Sequence, residues 1–220
     1  MIPVAAVALL TFSLFGPGGA VNFDKLKPGS FPPYWTATST GPAEPARWEI
    51  QFDKTAPSRG NVFAQMSGAP RDAEFPLAVY DKVICRDGDL SMKFKIVPNT
   101  RRVKAAGIVF RYQDPQNYYL LELSVDQKSI VLYRIQNGQM HPVPVIHGRP
   151  GDVGVSRELR TGQWYETKVM FRGDHFKVLF DNRELFFADD NSISNPGKTG
   201  LWTRGGTVAF FDDYRIDRKG

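Results

Sequence analysis

Residues 107–135 read GIVFRYQDPQNYYLLELSVDQKSIVLYRI. Apolar and polar side chains alternate here with a period of two, the spacing of an extended chain whose successive side chains point to opposite faces. Asp114-Pro115-Gln116-Asn117 cuts the run with a φ-locked residue among turn formers, so Ala105–Tyr112 and Tyr118–Val125 read as paired strands, with Ile130–Ile135 as the next. Alternation then sorts the faces. One carries Ile108, Phe110, Tyr119, Leu121, Leu123, Ile130 and Leu132 and is the core side. The other carries Val109, Arg111, Tyr118, Leu120, Glu122, Val131, Tyr133 and Ile135, which is too aromatic for a face that meets only water.

The same period continues outward in both directions. In Leu90-Ser-Met-Lys-Phe-Lys-Ile the apolar set Leu90, Met92, Phe94 and Ile96 points inward and Ser91, Lys93 and Lys95 point to water. Further strands are predicted at Arg47–Phe52, Val62–Gln65, Leu77–Tyr80, Leu90–Val97, Val143–His147, Trp164–Phe171, Phe176–Phe180, Glu184–Ala188, Gly200–Thr203 and Thr207–Ile216. Turn formers such as Gln136-Asn137-Gly138, Asp181-Asn182 and Arg204-Gly205-Gly206 separate them. Asn22–Pro45 has little periodicity and reads as a first strand and a packed loop. No ten-residue run has helical spacing. Many short strands imply an all-β chain folded as a two-sheet antiparallel sandwich, one domain over residues 21–220.

The 28 Lys+Arg against 23 Asp+Glu give a net charge of +5. The cations are scattered, with Arg101-Arg102 the longest basic run, so no nucleic-acid stripe or motif is present. Cys85 is the one cysteine; it permits no internal disulfide and reads as a buried thiol at a strand end. Met1–Ala20 has no charged side chain, and its apolar run Val4–Phe15 is too short to span a bilayer. With the break at Gly16-Pro17 and small residues Gly18 and Ala20, it reads as a signal peptide over residues 1–20, cleaved after Ala20, for a periplasmic or secreted protein. A buried N-terminal strand is the other reading. No cysteine near the cleavage point offers a lipid anchor.

The succession Gly107-Ile-Val-Phe-Arg-Tyr, Tyr118-Tyr-Leu, Val131-Leu-Tyr-Arg, Gly162-Gln-Trp-Tyr-Glu, Phe176-Lys-Val-Leu-Phe-Asp-Asn, Gly197-Lys-Thr-Gly-Leu-Trp and Val208-Ala-Phe-Phe-Asp-Asp-Tyr-Arg-Ile resembles the concanavalin A-like lectin/glucanase superfamily. Within it, the order is most like the exported domain family named for 3-keto-disaccharide hydrolase. The resemblance covers roughly Asn22–Ile216 and implies a jelly roll whose concave sheet meets sugars. It implies carbohydrate as partner, with Arg111, Glu122 and Tyr133 on the concave face beside Tyr118, Trp202, Arg204 and His141 as substrate-binding candidates. Aromatic rings would contact the apolar face of a pyranose while charged groups take its hydroxyls. The alternative is that Tyr118, Tyr133 and Trp202 only pack beneath loops.

The paired glutamates around an aspartate that mark the superfamily's retaining glucanases are missing; Glu122-Leu-Ser-Val-Asp126 comes nearest, so ordinary two-carboxylate hydrolysis is disfavoured. Glu122 as a lone base with Arg111 as its electrostatic partner would suit a 3-keto glycoside, whose C–H beside the carbonyl is acidified. An Arg111–Glu122 cross-strand ion pair supporting the sheet is the structural alternative. His141, His147 and His175 lack the spacing of a zinc site. The resemblance also implies a structural Ca²⁺ at Asp212 in the closing Phe-Phe-Asp-Asp-Tyr, against which stands an Asp212 that only bonds backbone amides. No serine-hydrolase elbow, phosphate loop or dinucleotide fingerprint is present. The expected function is an exported saccharide-binding domain, with hydrolase or lyase action on 3-keto glycosides; a non-catalytic laminin G-like binding module is the alternative.

Overall fold

The computed structural model describes residues 19–41, 46–66, 75–98, 103–146, 149 and 151–219. Most of the expected signal peptide, residues 1–18, lies outside them, as does His147. Seventeen strands and no helix occur among the described residues. In chain order they are β1 (Ala20–Val21), β2 (Trp35–Thr40), β3 (Trp48–Phe52), β4 (Asn61–Gln65), β5 (Phe75–Cys85), β6 (Asp87–Ile96), β7 (Ala105–Asp114), β8 (Asn117–Ser124) and β9 (Ser129–Gln136). They continue as β10 (Gln139–Pro142), β11 (Val145–Ile146), β12 (Val155–Ser156), β13 (Trp164–Arg172), β14 (His175–Phe180), β15 (Arg183–Asp189), β16 (Gly197–Thr203) and β17 (Ala209–Lys219).

Two antiparallel sheets face each other. The first runs β11-β15-β14-β13-β6-β17-β4-β3 with β1 on β17, and the second runs β10-β9-β8-β7-β16-β5-β2 with β12 on β9. The all-β two-sheet sandwich expected from the alternation is therefore the observed fold. Aromatic side chains lock the two layers together. Phe110 of β7 stacks on Phe171 of β13 with centroids 4.8 Å apart. Trp35 of β2 meets Phe63 of β4 at 5.1 Å and Tyr214 of β17 at 5.0 Å. Leu90, Met92, Phe94 and Ile96 of β6 are buried in this core, as their spacing requires.

The hairpin of β7 and β8 pairs Val109 with Leu120 and Gly107 with Glu122, and β9 adds Val131 opposite Glu122. Its turn is fixed by Asp114, whose carboxylate accepts the Gln116 N–H at 2.7 Å and the Asn117 side-chain amide at 3.0 Å. In one place alternation fails. The register of β7 shifts between Phe110 and Asp114, and Arg111 adopts a φ of 48°. This bulge keeps Phe110 and Arg111 on the same side of the sheet and sends Tyr112 to the side of Tyr118, 5.9 Å ring to ring. The strand expected within Asn22–Pro45 is β2. Val143–His147 contracts to β11, while β1, β10 and β12, of two to four residues, are too short to show a period.

Candidate functional site

The second sheet has a face turned away from the sandwich. Strand alternation puts Leu77, Val79, Val109, Tyr118, Leu120, Ile135 and Trp202 there in one buried cluster, with Tyr112, Tyr133 and Met140 packed partly buried against it. Its middle rung is read directly from the ladder: Leu77, Trp202, Gly107, Glu122 and Val131 lie side by side on β5, β16, β7, β8 and β9. Gly107 has no side chain to offer this face, and a Cβ there would come within 2.4 Å of the Leu121 carbonyl oxygen. Leu120 Cδ1 would stand 2.9 Å from that Cβ, so Leu120 of β8 covers the glycine between Trp202 and Glu122.

Arg204, in the turn after β16, reaches this rung. Its Nη2 donates to Glu122 Oε2 at 2.6 Å and also lies 3.4 Å from the Met140 sulfur. The guanidinium sits 5.8 Å from the Trp202 ring and 5.7 Å from that of Phe75, close enough for cation–π attraction. The backbone beneath it is held on both sides, because Arg204 N–H donates to the Ala105 carbonyl at 3.1 Å and the Thr207 hydroxyl donates to the Arg204 carbonyl at 2.7 Å. The Arg204 side chain is 17% exposed and that of Glu122 only 2%. Burial pushes the Glu122 carboxyl up to about 7, against the pull of Arg204 in the other direction. Burial, followed by the Glu122 charge, also raises the Tyr133 hydroxyl above its ordinary value.

The sequence-predicted residues separate into two groups. Glu122, Arg204, Trp202, Tyr118 and Tyr133 come together on this face. Trp202 and Tyr118, however, are fully buried and form its floor. Tyr118 bonds Thr40 at 2.8 Å; since the Thr40 hydroxyl gives its one proton to the Pro115 carbonyl at 2.6 Å, Tyr118 is the donor. Arg111 and His141 do not join them. The bulge turns Arg111 toward the other sheet, where Nε donates to the Arg86 carbonyl at 2.9 Å, Nη1 to the Ile193 carbonyl at 3.0 Å, and Nη2 to the Gly173 carbonyl and to Asp87. Its guanidinium lies 5.5 Å from the Phe176 ring and 6.0 Å from Phe171. The expected Arg111–Glu122 pair is therefore absent, and Arg204 occupies the partner's place. His141 stands opposite Arg134 in the β9–β10 ladder, and Arg134 reaches Asp190 at 2.6 Å on the sandwich side; strand alternation places Met140, not His141, on the face of Glu122. Phe75, Tyr112 and Met140 were missed. Phe75 and Met140 lie just outside the strands that periodicity defines, and Tyr112 follows the bulge.

At the closing strand, Asp212 Oδ2 accepts the Ser58 N–H at 3.0 Å and Oδ1 accepts the Asp213 N–H at 2.8 Å. Asp213 itself pairs with Lys93 at 2.8 Å, and burial raises the Asp212 carboxyl above its ordinary range. Calcium takes about six to eight oxygen ligands, several of them ionised. Here the one buried carboxylate already receives two amides and its acidic neighbour carries an ammonium. Among the described residues no three His, Cys, Asp or Glu side chains group to hold a metal. Asp212 makes the amide bonds of the second reading, and it shares its depression with Asn22, Asp24 and Ser58. Cys85 is buried, with its thiol pushed up to about 11 by desolvation, which fits a structural thiol.

No protein-family model matches the sequence, and no curated protein is recognisably similar to it. Solved structures share the fold. The carbohydrate-binding module CBM66 of Bacillus subtilis is similar with a TM-score of 0.61 at 19% identity, over 84% of this chain and 95% of that one. A xylan β-1,4-xylosidase of Bacillus halodurans C-125 is similar with a TM-score of 0.61 at 15% identity, over 98% of this chain but only 42% of that one. A Bacillus subtilis protein described as having a galectin-like fold gives 0.53 at 10% identity, over 84% and 90% of the two chains.

Proposed function

We propose that the chain binds a saccharide on the outward face of its second sheet. The observation that carries this reading is the Glu122–Arg204 ion pair, set among Trp202, Phe75, Tyr133 and Met140 rather than in water. A charged pair in aromatic surroundings supplies what a pyranose needs: donors and acceptors for adjacent hydroxyls, and a ring for its apolar C–H face. Arg204 and Tyr133, both partly exposed, would make the contacts. Trp202 and Tyr118 set their position from below. The carbohydrate-binding and glycosidase structures that share the fold support the same class of ligand. The apolar leader of residues 4–15 supports an exported protein beginning at Val21, which N-terminal sequencing of the product from an exporting cell would test.

The raised pKa of Glu122 favours a second, finer reading, cleavage of 3-keto glycosides. Glu122 carboxylate would take the proton from C2, beside the C3 carbonyl. The electron pair left on carbon would form the C1–C2 double bond as the glycosidic oxygen departs from C1 and is protonated by Glu122. Arg204 would hold the enolate oxygen in the meantime, and water would add across the double bond to give the free 3-keto sugar. Paired ordinary and 3-keto glycosides, titrated by calorimetry with product analysis, test both readings. Binding of either with turnover of the keto sugar that Glu122→Gln abolishes supports the enzyme. Binding without turnover leaves the module, and silence from both overturns the site.

A further inference from the structure

A depression lies away from Glu122. It is a groove of about 1270 Å³ lined by residues 82–87 on one wall and 215–219 on the other, with Pro196 at one end and Gly19, which cleavage after Ala20 would remove, at the other. Successive side chains of a strand point to opposite faces, so a cavity touched by every residue of a run lies along the strand's edge. Both walls here are such edges. The ladder of β2 ends at the pair Trp35–Tyr80, and the ladder with β16 shifts register between Thr199–Tyr80 and Gly197–Cys85, so that Lys82–Ile84 bulge from it opposite Lys198. Lys82, Val83 and Ile84 therefore have no register partner among the described strands. Across the groove, Ile216–Lys219 pair with β6 on one side, while on the other the β1 ladder stops at Ala20–Arg215.

The groove is also strongly cationic. Lys82, Arg86, Arg215, Arg218 and Lys219 line it and all five are exposed. Its two acids are engaged: Asp87 with Arg111 and the Gly173 N–H, and Asp217 with Arg215 at 2.9 Å. Ile84 stands 57% exposed on the same wall. Edge strands left unpaired are templates for a further strand. We propose that this groove takes an extended acidic polypeptide segment, added as a strand along Lys82–Ile84, with its carboxylates on Arg86, Arg218 and Lys219 and an apolar side chain on Ile84. Main-chain hydrogen bonds would give the affinity, and the alternating side chains would give the preference for acidic and apolar residues.

The test is fluorescence anisotropy with a labelled peptide of alternating Glu and Val, the same peptide N-methylated along one edge, and dextran sulfate as competitor. The proposal expects the first peptide to bind and N-methylation to abolish binding. The double reversal Arg86→Glu/Arg218→Glu should weaken it about tenfold or more while the melting temperature and any saccharide binding stay unchanged. Both residues are exposed, so the variant is expected to fold. Equal binding of the two peptides, with displacement by dextran sulfate, would make the groove a site for anionic polymers and overturn strand addition. Failure of the first peptide to bind would overturn it outright.

Discussion

Glu122 carries a carboxylate into surroundings that favour its neutral form. Its folded-state value of about 7 stands above the ordinary 4.5, so the fold prefers the protonated side chain. That preference stabilises fully below about 4.5 and is lost as pH rises through about 7. The wild type is therefore expected to lose stability relative to Glu122→Gln between about pH 5 and pH 8, by on the order of 2 kcal/mol; parallel melting curves for the two across that range would refute the burial argument. The bond to Arg204 remains available to glutamine through its carbonyl oxygen, which keeps the comparison clean. If Glu122 acts as a base, turnover of a keto glycoside rises through the same interval, because only the carboxylate accepts a proton.

At the scale of the element, the β7–β8–β9 meander shows what periodicity carries and where it stops. Ile108, Phe110, Tyr119, Leu121 and Leu132 are core residues, and Tyr118, Glu122 and Tyr133 share the other face, all readable from a period of two. Against β8 the bulge sets Arg111, Tyr112 and Gln113 opposite Tyr118 alone, and it turns Arg111 and Tyr112 to the faces opposite those that alternation predicts. Nothing in Arg-Tyr-Gln-Asp announces it, because a bulge depends on the neighbouring strand, here β16 with its own register shift before Gly200. Arg204 stands among the substrate-binding candidates of the sequence, but its pairing with Glu122 joins the turn after β16 to β8, and no local pattern carries it. The bulge makes Arg111 a scaffold residue. Arg111→Leu would leave the carbonyls of Arg86, Ile193 and Gly173 without their donor, a loss of about 3 kcal/mol or more, or about 10 °C of Tm for a chain of this size. Saccharide affinity of the folded protein should be unchanged. An unaltered Tm with lost affinity would return Arg111 to the site.

The molecule as a whole is a sandwich whose aromatic core closes between the sheets without a disulfide. Its two ends of interest are separate: a polar pair in an apolar face of the second sheet, and a cationic groove where strands of both sheets leave their ladders. Since Asp212 accepts two backbone amides and no three acidic, His or Cys side chains group among the described residues, removal of divalent cations with EDTA is expected to leave Tm unchanged within about 1 °C, the scale of a few tenths of a kcal/mol. A fall of several degrees, restored by Ca²⁺, would contradict that assignment and reinstate the calcium expected from the sequence. The fold was legible because alternation recurs in nearly every strand. The site was legible only in outline, since its charged pair is assembled from β8 and the turn after β16, 82 residues apart in the chain.

Calorimetric titration of the wild-type protein and Arg204→Met with a panel of neutral glycosides tests the central claim most directly. The account predicts saturable heat with at least one glycoside, lost in Arg204→Met while the fold is kept. No heat from any glycoside, or equal heat from both proteins, would contradict it.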